Sequence, residues 1–425
     1  MSTVSRHNLG PGLFLTVVES RKFKTGVLSA SILRPLLARE ATLHALLPRV
    51  LRRGNNALPD LGRFAAALED AYGARVEPYV RKKGEVHASG FVCDFVEGQF
   101  LPGHPPVLET VVQILSRTLL DPVVSDGLLR ADYVNTEKKN LLNTIRDEKN
   151  DKRAYAENRM LAAMCHKEPF GVGRWGSEEE LAKITPKALW NYYRRVLPTS
   201  AVEWVYVGCS SPSKVKQALE PHVAKFPRAG LTPLKTKPVH TVETLKRVTE
   251  TMNVSQGKLS MGMRMGVTLT DEDYPAALLA ATIFGGSAAS KLFTHVRERL
   301  SLAYYATAHL YGAKGLLVVN SGIDPADKDV AEQEILKQWH AVAGGEISDE
   351  EMQQGRRSLA NSLLVSTDSP HAMEDYYLGQ AAAAGHLTLL ENLAEKVSRI
   401  SREQVTKAAG AGVWDTVYFL RGEER

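Results

Sequence analysis

Arg297 and Tyr304, seven residues apart, are the side chains in this sequence whose types and spacing best suit chemistry. A guanidinium and a phenol both donate hydrogen bonds, and such donors hold a carbonyl oxygen and the negative charge that grows on it in acyl transfer. On spacing alone such a pair is usually plainer: a solvated charge at a helix end and a half-buried aromatic on a strand. Other hydrolytic chemistry has little to work with. The 12 histidines are scattered, with no two at the spacing of a helix-borne metal pair. Cys93, Cys165 and Cys209 are far apart and form no Cys-x-x-Cys, while Cys165 and His166, being neighbours, diverge on any regular element. These spacings predict no metal site in this chain.

The pair needs elements to position it. Gly285-Gly286 suits a turn in which the backbone takes positive φ or approaches a partner closely, or else a helix C-cap. Residues 290–299 then read as an amphipathic helix, with Leu292, Phe293, Val296 and Leu300 on one face. After Leu302 the pattern becomes strand-like through Tyr304, Tyr305 and Ala308. A turn at 311–315 leads into an apolar strand at 316–320. Arg297 therefore falls at a helix end and Tyr304 at the start of a strand, an arrangement in which both face one cleft.

This frame of a glycine pair, Ser290-Lys-Leu-Phe293, Arg297 and Ala303-Tyr304 resembles the second half of the pitrilysin/insulinase family of zinc peptidases, the family of the mitochondrial processing peptidases. The resemblance implies that Arg297 and Tyr304 bind the substrate backbone opposite a zinc ion, with Gly285 and Gly286 lining the same substrate site. Active members carry His-x-x-Glu-His on a helix of the first half, where two histidines bind zinc and the glutamate acts as general base. Counting back from Gly54, the matching positions here are Ala45, Leu46, Leu47, Pro48 and Arg49. Neither histidine nor the base is present, and Arg49 sets a positive charge where a cation should bind. His44 is one residue out of register, without a second ligand beside it. The later carboxylate of the family's ligand set is replaced by Asn143 or Thr144. The chain is thus expected to hold no metal or other cofactor, with zinc expected in a partner subunit.

Length bounds the rest. A chain of 425 residues is too long for one core and allows two or three domains. Hydrophobic content of 44% and charged content of 24% are those of a globular protein. A net charge of +5 without a basic block interleaved with aromatics argues against nucleic acid as a partner. The longest apolar run, around 276–284, falls far short of the roughly 20 residues of a membrane span, so no membrane partner is expected. The polar start lacks the apolar core of a signal peptide, and the unpaired cysteines suit a reducing compartment; the expected location is cytoplasmic.

A repeat underlies the order of elements. Strands are expected near 10–18, 25–33, 74–81, 85–93 and 201–208, and helices over 40–53, 61–72, 105–119, 128–152 and 186–196. Ser177 and Thr185 stand as helix caps, the latter followed by Pro186. Residues 225–246 are proline-rich, positive and without helical period, as a linker would be. Beyond them the order recurs. At one offset Leu68 meets Leu300, Ala71-Tyr72 meets Ala303-Tyr304, and Ser89-Gly90 meets Ser321-Gly322; Tyr72 is read as core. The fold class expected is α+β: two homologous halves, each an antiparallel sheet with helices packed on one face. The boundaries are 1–224 for the half with the degenerate zinc site, 225–246 for the linker and 247–425 for the half with the Arg/Tyr pair. The resemblance implies the same LuxS/metallohydrolase-like architecture across nearly the whole chain.

Family members work with four such halves, in one long chain or in two chains. The chain is similar to bacterial members made as pairs, including the Leu46-Leu-Pro-x-Val-Leu-x-Arg-Gly54 helix. The expected role is the subunit without zinc of a heterodimeric metallopeptidase, inactive alone. Its partner would be a zinc-bearing homologous subunit, and its substrate an extended peptide or leader segment. The alternative is a non-catalytic scaffold or peptide-binding subunit of a larger complex.

Overall fold

A computed structural model of the chain describes residues 2–383, 385 and 387–422. They divide into two compact units. The first comprises Met1–Ile145, Val172–Lys235 and Thr367–Leu389; the second comprises Arg146–Gly171, Thr236–Ser366 and Leu390–Arg425. Each unit therefore takes one segment from the half of the sequence that builds the other.

In chain order the first part of the sequence forms β1 (Thr3–Gly10), β2 (Leu13–Glu19), β3 (Thr25–Pro35), α1 (Ala38–Leu51), α2 (Leu61–Asp70), β4 (Arg75–Lys83), β5 (Val86–Val96) and α3 (Val107–Leu120). A short ribbon of β6 (Val124–Ser125) and β7 (Leu128–Leu129) leads to α4 (Ala131–Asp147), α5 (Lys152–Met164), α6 (Glu178–Lys183), α7 (Pro186–Thr199), β8 (Ala201–Gly208) and α8 (Pro212–Val223). The single helix expected over 128–152 breaks at 148–151. There Asp151 caps α5 by accepting from the amides of Arg153 and Ala154 at 3.0 and 3.1 Å. Ser177 and Thr185 cap α6 and α7 as their sequence context predicts, accepting from Glu180 and Ala188. The linker region stays irregular from 227 until β9 (Lys246–Thr251).

The first unit's sheet has the order β1-β2-β8-β3-β5-β4, antiparallel except for the parallel pair β2 and β8. Alternation sends Leu28, Ala30 and Ile32 of β3 to one face, with Phe91 and Cys93 of β5 and Val202, Trp204 and Tyr206 of β8, onto the main core with α1 and α3. The other face mixes Thr16, Glu203, Ser31 and Tyr79 with buried Val27, Leu33, Val205 and Val207. The helix α12 (Pro370–Ala383) covers this face, and its Glu374 pairs with Arg81 at 2.6 Å.

The second part continues with β10 (Gly257–Arg264), α9 (Tyr274–Ala281), π-helical turns at Thr282–Gly286 and Leu292–Arg299, β11 (Ala303–Tyr311) and β12 (Leu316–Ile323). Then come α10 (Lys328–Ala343), α11 (Asp349–Ser366), α12, α13 (Leu390–Ser398), α14 (Arg402–Gly410) and β13 (Val413–Arg421). The second unit's sheet has the order β11-β12-β10-β13-β9, again with one parallel pair, β13 and β9. Matching β4 to β11, β5 to β12, β3 to β10, β8 to β13 and β2 to β9 superposes the two orders, the parallel pair included. The duplication read in the letters is present in the topology.

One face of this second sheet packs on α9, the π turns, α10 and α14 around Met261, Leu317, Val319, Trp339 and Phe284. Its other face carries Leu316, Val318, Tyr418 and Leu420 beneath α5, whose Met160 and Met164 lie over Gly262. A side chain at Gly262 would sit 2.6 Å from both methionine sulfurs, so the glycine is what lets α5 approach.

Candidate functional site

The segment carrying Arg297 and Tyr304 lies in the second unit. Gly285 lies in a π-helical stretch, Thr282–Gly286, packed on β11: a Cβ there would stand 2.7 Å from both the amide and the Cβ of Ala308. Close approach, not positive φ, explains this glycine; neither Gly285 nor Gly286 has a left-handed backbone. Gly285 is buried and Gly286 exposed. The helix expected over 290–299 is wound with π geometry at Leu292–Arg299, burying Leu292 and Val296. Its last turn closes through the Leu300 amide on the His295 carbonyl and the Leu302 amide on the Val296 carbonyl. Ser301, at φ 53°, reverses the chain into β11.

β11 is an edge strand, paired only with β12. Its register slips between Ala303, opposite Ile323, and Tyr305, opposite Gly322, so Tyr304 is the extra residue of a β-bulge. Bulges turn a side chain away from the regular alternation. Tyr304 is 69% exposed, the most exposed large hydrophobic side chain among the described residues. Arg297 is exposed too, with its guanidinium 4.6 Å from the centroid of Phe293, one turn back. Neither side chain has a hydrogen-bond partner among the described residues, and no bond or ring contact joins the two. The next residue, Tyr305, is half-buried instead, beneath the Arg153 guanidinium at 4.5 Å. Tyr72, which the repeat aligns with Tyr304, is not core as the sequence suggested. It is 48% exposed and left-handed, at φ 59°, in the turn before β4.

The positions that would hold zinc lie on α1 in the first unit. Ala45, Leu46 and Leu47 are fully buried against the sheet, and Pro48 is buried beside them. Arg49 reaches α4, where its Nη2 donates to Thr144 Oγ1 at 3.2 Å, and its guanidinium lies 5.0 Å from the Trp175 centroid. Thr144, one of the two residues expected in place of the distal carboxylate, is thus the one beside Arg49. Glu137, on the same helix, is held by Arg53 at 2.8 Å and Asn140 at 3.1 Å. Hydrocarbon side chains and a guanidinium offer zinc no ligand, so these residues do not fit the ion. Among the described residues no three His, Cys, Asp or Glu side chains converge to hold a metal.

His44 is accounted for by the core. Its Nε2 is 3.2 Å from the carbonyl oxygens of both Ile32 and His87, which can only accept, so Nε2 carries the proton. Nδ1 then accepts from the Tyr192 hydroxyl at 2.9 Å. The His87 ring, 4.9 Å away, donates through Nε2 to the Arg174 carbonyl at 2.9 Å. Burial pushes the His44 pKa down to about 4 and that of His87 well below the usual histidine range. The pair was invisible in the sequence because 43 residues and a sheet separate its members.

A family profile described as "Peptidase M16 inactive domain" matches residues 183–359. The chain is 31% identical over 413 residues to the "Probable inactive metalloprotease YmfF" of Bacillus subtilis, covering 97% of this chain and 96% of that one. The chain belongs to the M16 peptidase family. Within that family it is a member without the zinc motif, as the side chains at 45–49 require. It is also 27% identical over 153 residues to the "Mitochondrial-processing peptidase subunit beta" of Saccharomyces cerevisiae, 33% of each chain. Its fold matches that of a conserved protein from Enterococcus faecalis, with a TM-score of 0.88, 24% identity and 99% of both chains covered. An M16 fold of two halves, mixed α and β with largely antiparallel sheets, is therefore the architecture of this protein. Among the described residues no helix is long and apolar enough to cross a membrane.

Proposed function

We propose that this chain is the subunit without zinc of a two-chain M16 metallopeptidase, supplying Arg297 and Tyr304 to the zinc site of a homologous partner that cleaves extended peptides or leader segments. The observation that carries this reading is Tyr304 itself: a bulge on an edge strand presents its hydroxyl to solvent without a partner. A residue serving only the core would not be held out in this way. The S. cerevisiae relative is by its description one subunit of a peptidase, which supports a paired assembly.

Under this reading the partner's zinc supplies the activation of water, chemistry that the residues on α1 of this chain cannot support. The groups of this chain do the rest. The free edge of β11 aligns an extended peptide by backbone pairing, as sheet edges do. The Tyr304 hydroxyl and the Arg297 guanidinium then donate to the scissile carbonyl or its neighbour as negative charge develops. Gly285 holds its π turn against β11, and the exposed Gly286 lines the substrate site beside it. The setting is cytoplasmic, in keeping with three cysteines that form no disulfide.

The test is hydrolysis of an unstructured peptide library by this protein alone, by its zinc-bearing homologue alone and by the two together. Activity confined to the mixture is the expected result. A homologue equally active alone, with no complex formed, overturns it and favours a scaffold role.

A further inference from the structure

Two adjacent tyrosines compete for one seat at the start of β11. Ala303 pairs with Ile323, so regular antiparallel pairing would set Tyr304 opposite Gly322, both on one face of the sheet. Tyr305 is there instead. A Cβ at Gly322 would stand 2.5 Å from Tyr305 Cε1 and 3.0 Å from its Cδ1, so glycine is what leaves room for the ring. The Arg153 guanidinium of α5 lies over the same ring, 4.5 Å from its centroid, and the Lys258 ammonium of β10 lies 5.8 Å from it. Cations over an aromatic face are attracted to it.

An edge strand needs such anchoring, because it is hydrogen-bonded to a neighbour on one side alone. The helix α5 grips β11 at further points on this face. Arg153 Nη2 donates to Thr307 Oγ1 at 3.0 Å, and Glu157 accepts from His309 Nε2 at 3.1 Å and from the Tyr311 hydroxyl at 2.5 Å. Ala303, Ala306 and Ala308 face the other way, into the core of the second unit. With Ala303 and Ala306 both in that core, the strand must carry one extra residue between them. Since Tyr305 holds the seat, the extra residue is Tyr304.

We infer that Tyr305, seated on Gly322 beneath Arg153, is a positioning residue: it takes the place that regular pairing gives Tyr304 and so holds the Tyr304 hydroxyl out toward substrate. The inference rests on the peptidase-subunit reading above, in which that hydroxyl is a donor to the scissile carbonyl or its neighbour.

The experiment measures kcat and KM for an unstructured peptide in the complex of this chain with its zinc-bearing homologue. Tyr304→Phe removes the donor and is expected to lower kcat about 10²-fold. Gly322→Ala pushes the Tyr305 ring from its seat and should lower kcat about tenfold with KM within about twofold, as loss of a contact made in the transition state does. On the Tyr304→Phe background the same change should cost nothing further, because it acts through that hydroxyl. Arg153→Ala, on an exposed position of α5, serves where Gly322→Ala fails to fold or assemble. It should lower kcat about threefold, again silently on the Tyr304→Phe background, and Arg153→Lys, which keeps a cation over the ring, should recover most of the loss. Unchanged kcat in Gly322→Ala, or in Arg153→Ala where that variant replaces it, overturns the positioning role and leaves the peptidase-subunit reading standing. So does a loss that multiplies with that of Tyr304→Phe. Wild-type turnover in Tyr304→Phe, or no turnover in the mixture, overturns that reading and the inference with it.

Discussion

At the scale of single residues, exposure and partnering separate the functional candidates from the structural ones. Arg297 and Tyr304 are exposed and make no hydrogen bond among the described residues, whereas His44, the nearest thing to a relic of a metal ligand, is fully committed to the core. In the mixed complex Arg297→Ala should lower turnover by about 10²–10³ while assembly persists, as loss of one preorganised donor does; unchanged steady-state turnover with the complex intact would refute its role. His44 makes a different prediction. Its pKa is near 4 in the folded chain and near 6.5 when unfolded, so between these values the unfolded state binds more protons. Stability therefore falls as pH drops from 6.5 to 4, by about 3 kcal/mol from this group, and is flat in it above 6.5. Urea denaturation across that range should show a shallower decline in His44→Gln than in wild type. Tyr72 bears on stability alone. Left-handed backbone costs a non-glycine residue about 1 kcal/mol or more, and asparagine tolerates it better. Tyr72→Asn should raise stability by about 1 kcal/mol in the same assay, since an exposed ring has little packing to lose.

At the scale of elements, what the sequence made legible was what lies close together in the chain. The caps at Ser177 and Thr185 and the dead zinc helix are local patterns that fold where their letters suggest; the Arg297–Tyr304 frame lies where expected but winds with π geometry and leaves Leu300, read as part of its apolar face, exposed. The bulge at Tyr304 was not legible, because it depends on the register against β12, set by residues 18 positions further on. Nor was the break between α4 and α5: the charged run 137–153 keeps a helical appearance, and only the Asp151 cap interrupts it. Burial of charge also escaped notice. Lys314, in the turn between β11 and β12, is buried and bonds Glu168 at 2.7 Å; Arg264, at the end of β10, bonds Glu168 at 2.6 Å and Asp415 at 2.7 Å. Glu168 follows α5, so one carboxylate fastens that helix's end to two strands of the second sheet. Removing it leaves two buried cations with a single counter-charge. Glu168→Gln should destabilise by about 3 kcal/mol in chemical denaturation, whereas a surface pair such as Lys183–Glu180 should contribute almost nothing.

At the scale of the whole molecule, the two units share their segments. The half of the sequence up to the linker supplies α5 to the second unit, and the later half supplies α12 to the first. Neither loan shows in hydropathy, because each helix reads as an ordinary amphipathic stretch and nothing in its letters names the sheet it will cover. The consequence is physical. Without α5, the second sheet exposes Leu316, Val318, Tyr418 and Leu420 along one face, a contiguous apolar patch of the kind that drives association. Without α12, the first sheet leaves Arg81 without Glu374 and uncovers a face on which Val27, Leu33, Val205 and Val207 lie beside Tyr79 and Glu203. A chain cut in the linker, expressed as residues 1–235 and 236–425, should therefore fail as two separate products. The second fragment should aggregate or bind a hydrophobic dye, and the first should show native-like secondary structure with loosened packing. Co-expression should return a stable complex that elutes as one species. Two fragments each monomeric, cooperative in thermal unfolding and indifferent to one another would show instead that α5 and α12 are coverings the sheets can do without. The duplication would then have left two self-sufficient domains rather than one folding unit with exchanged parts.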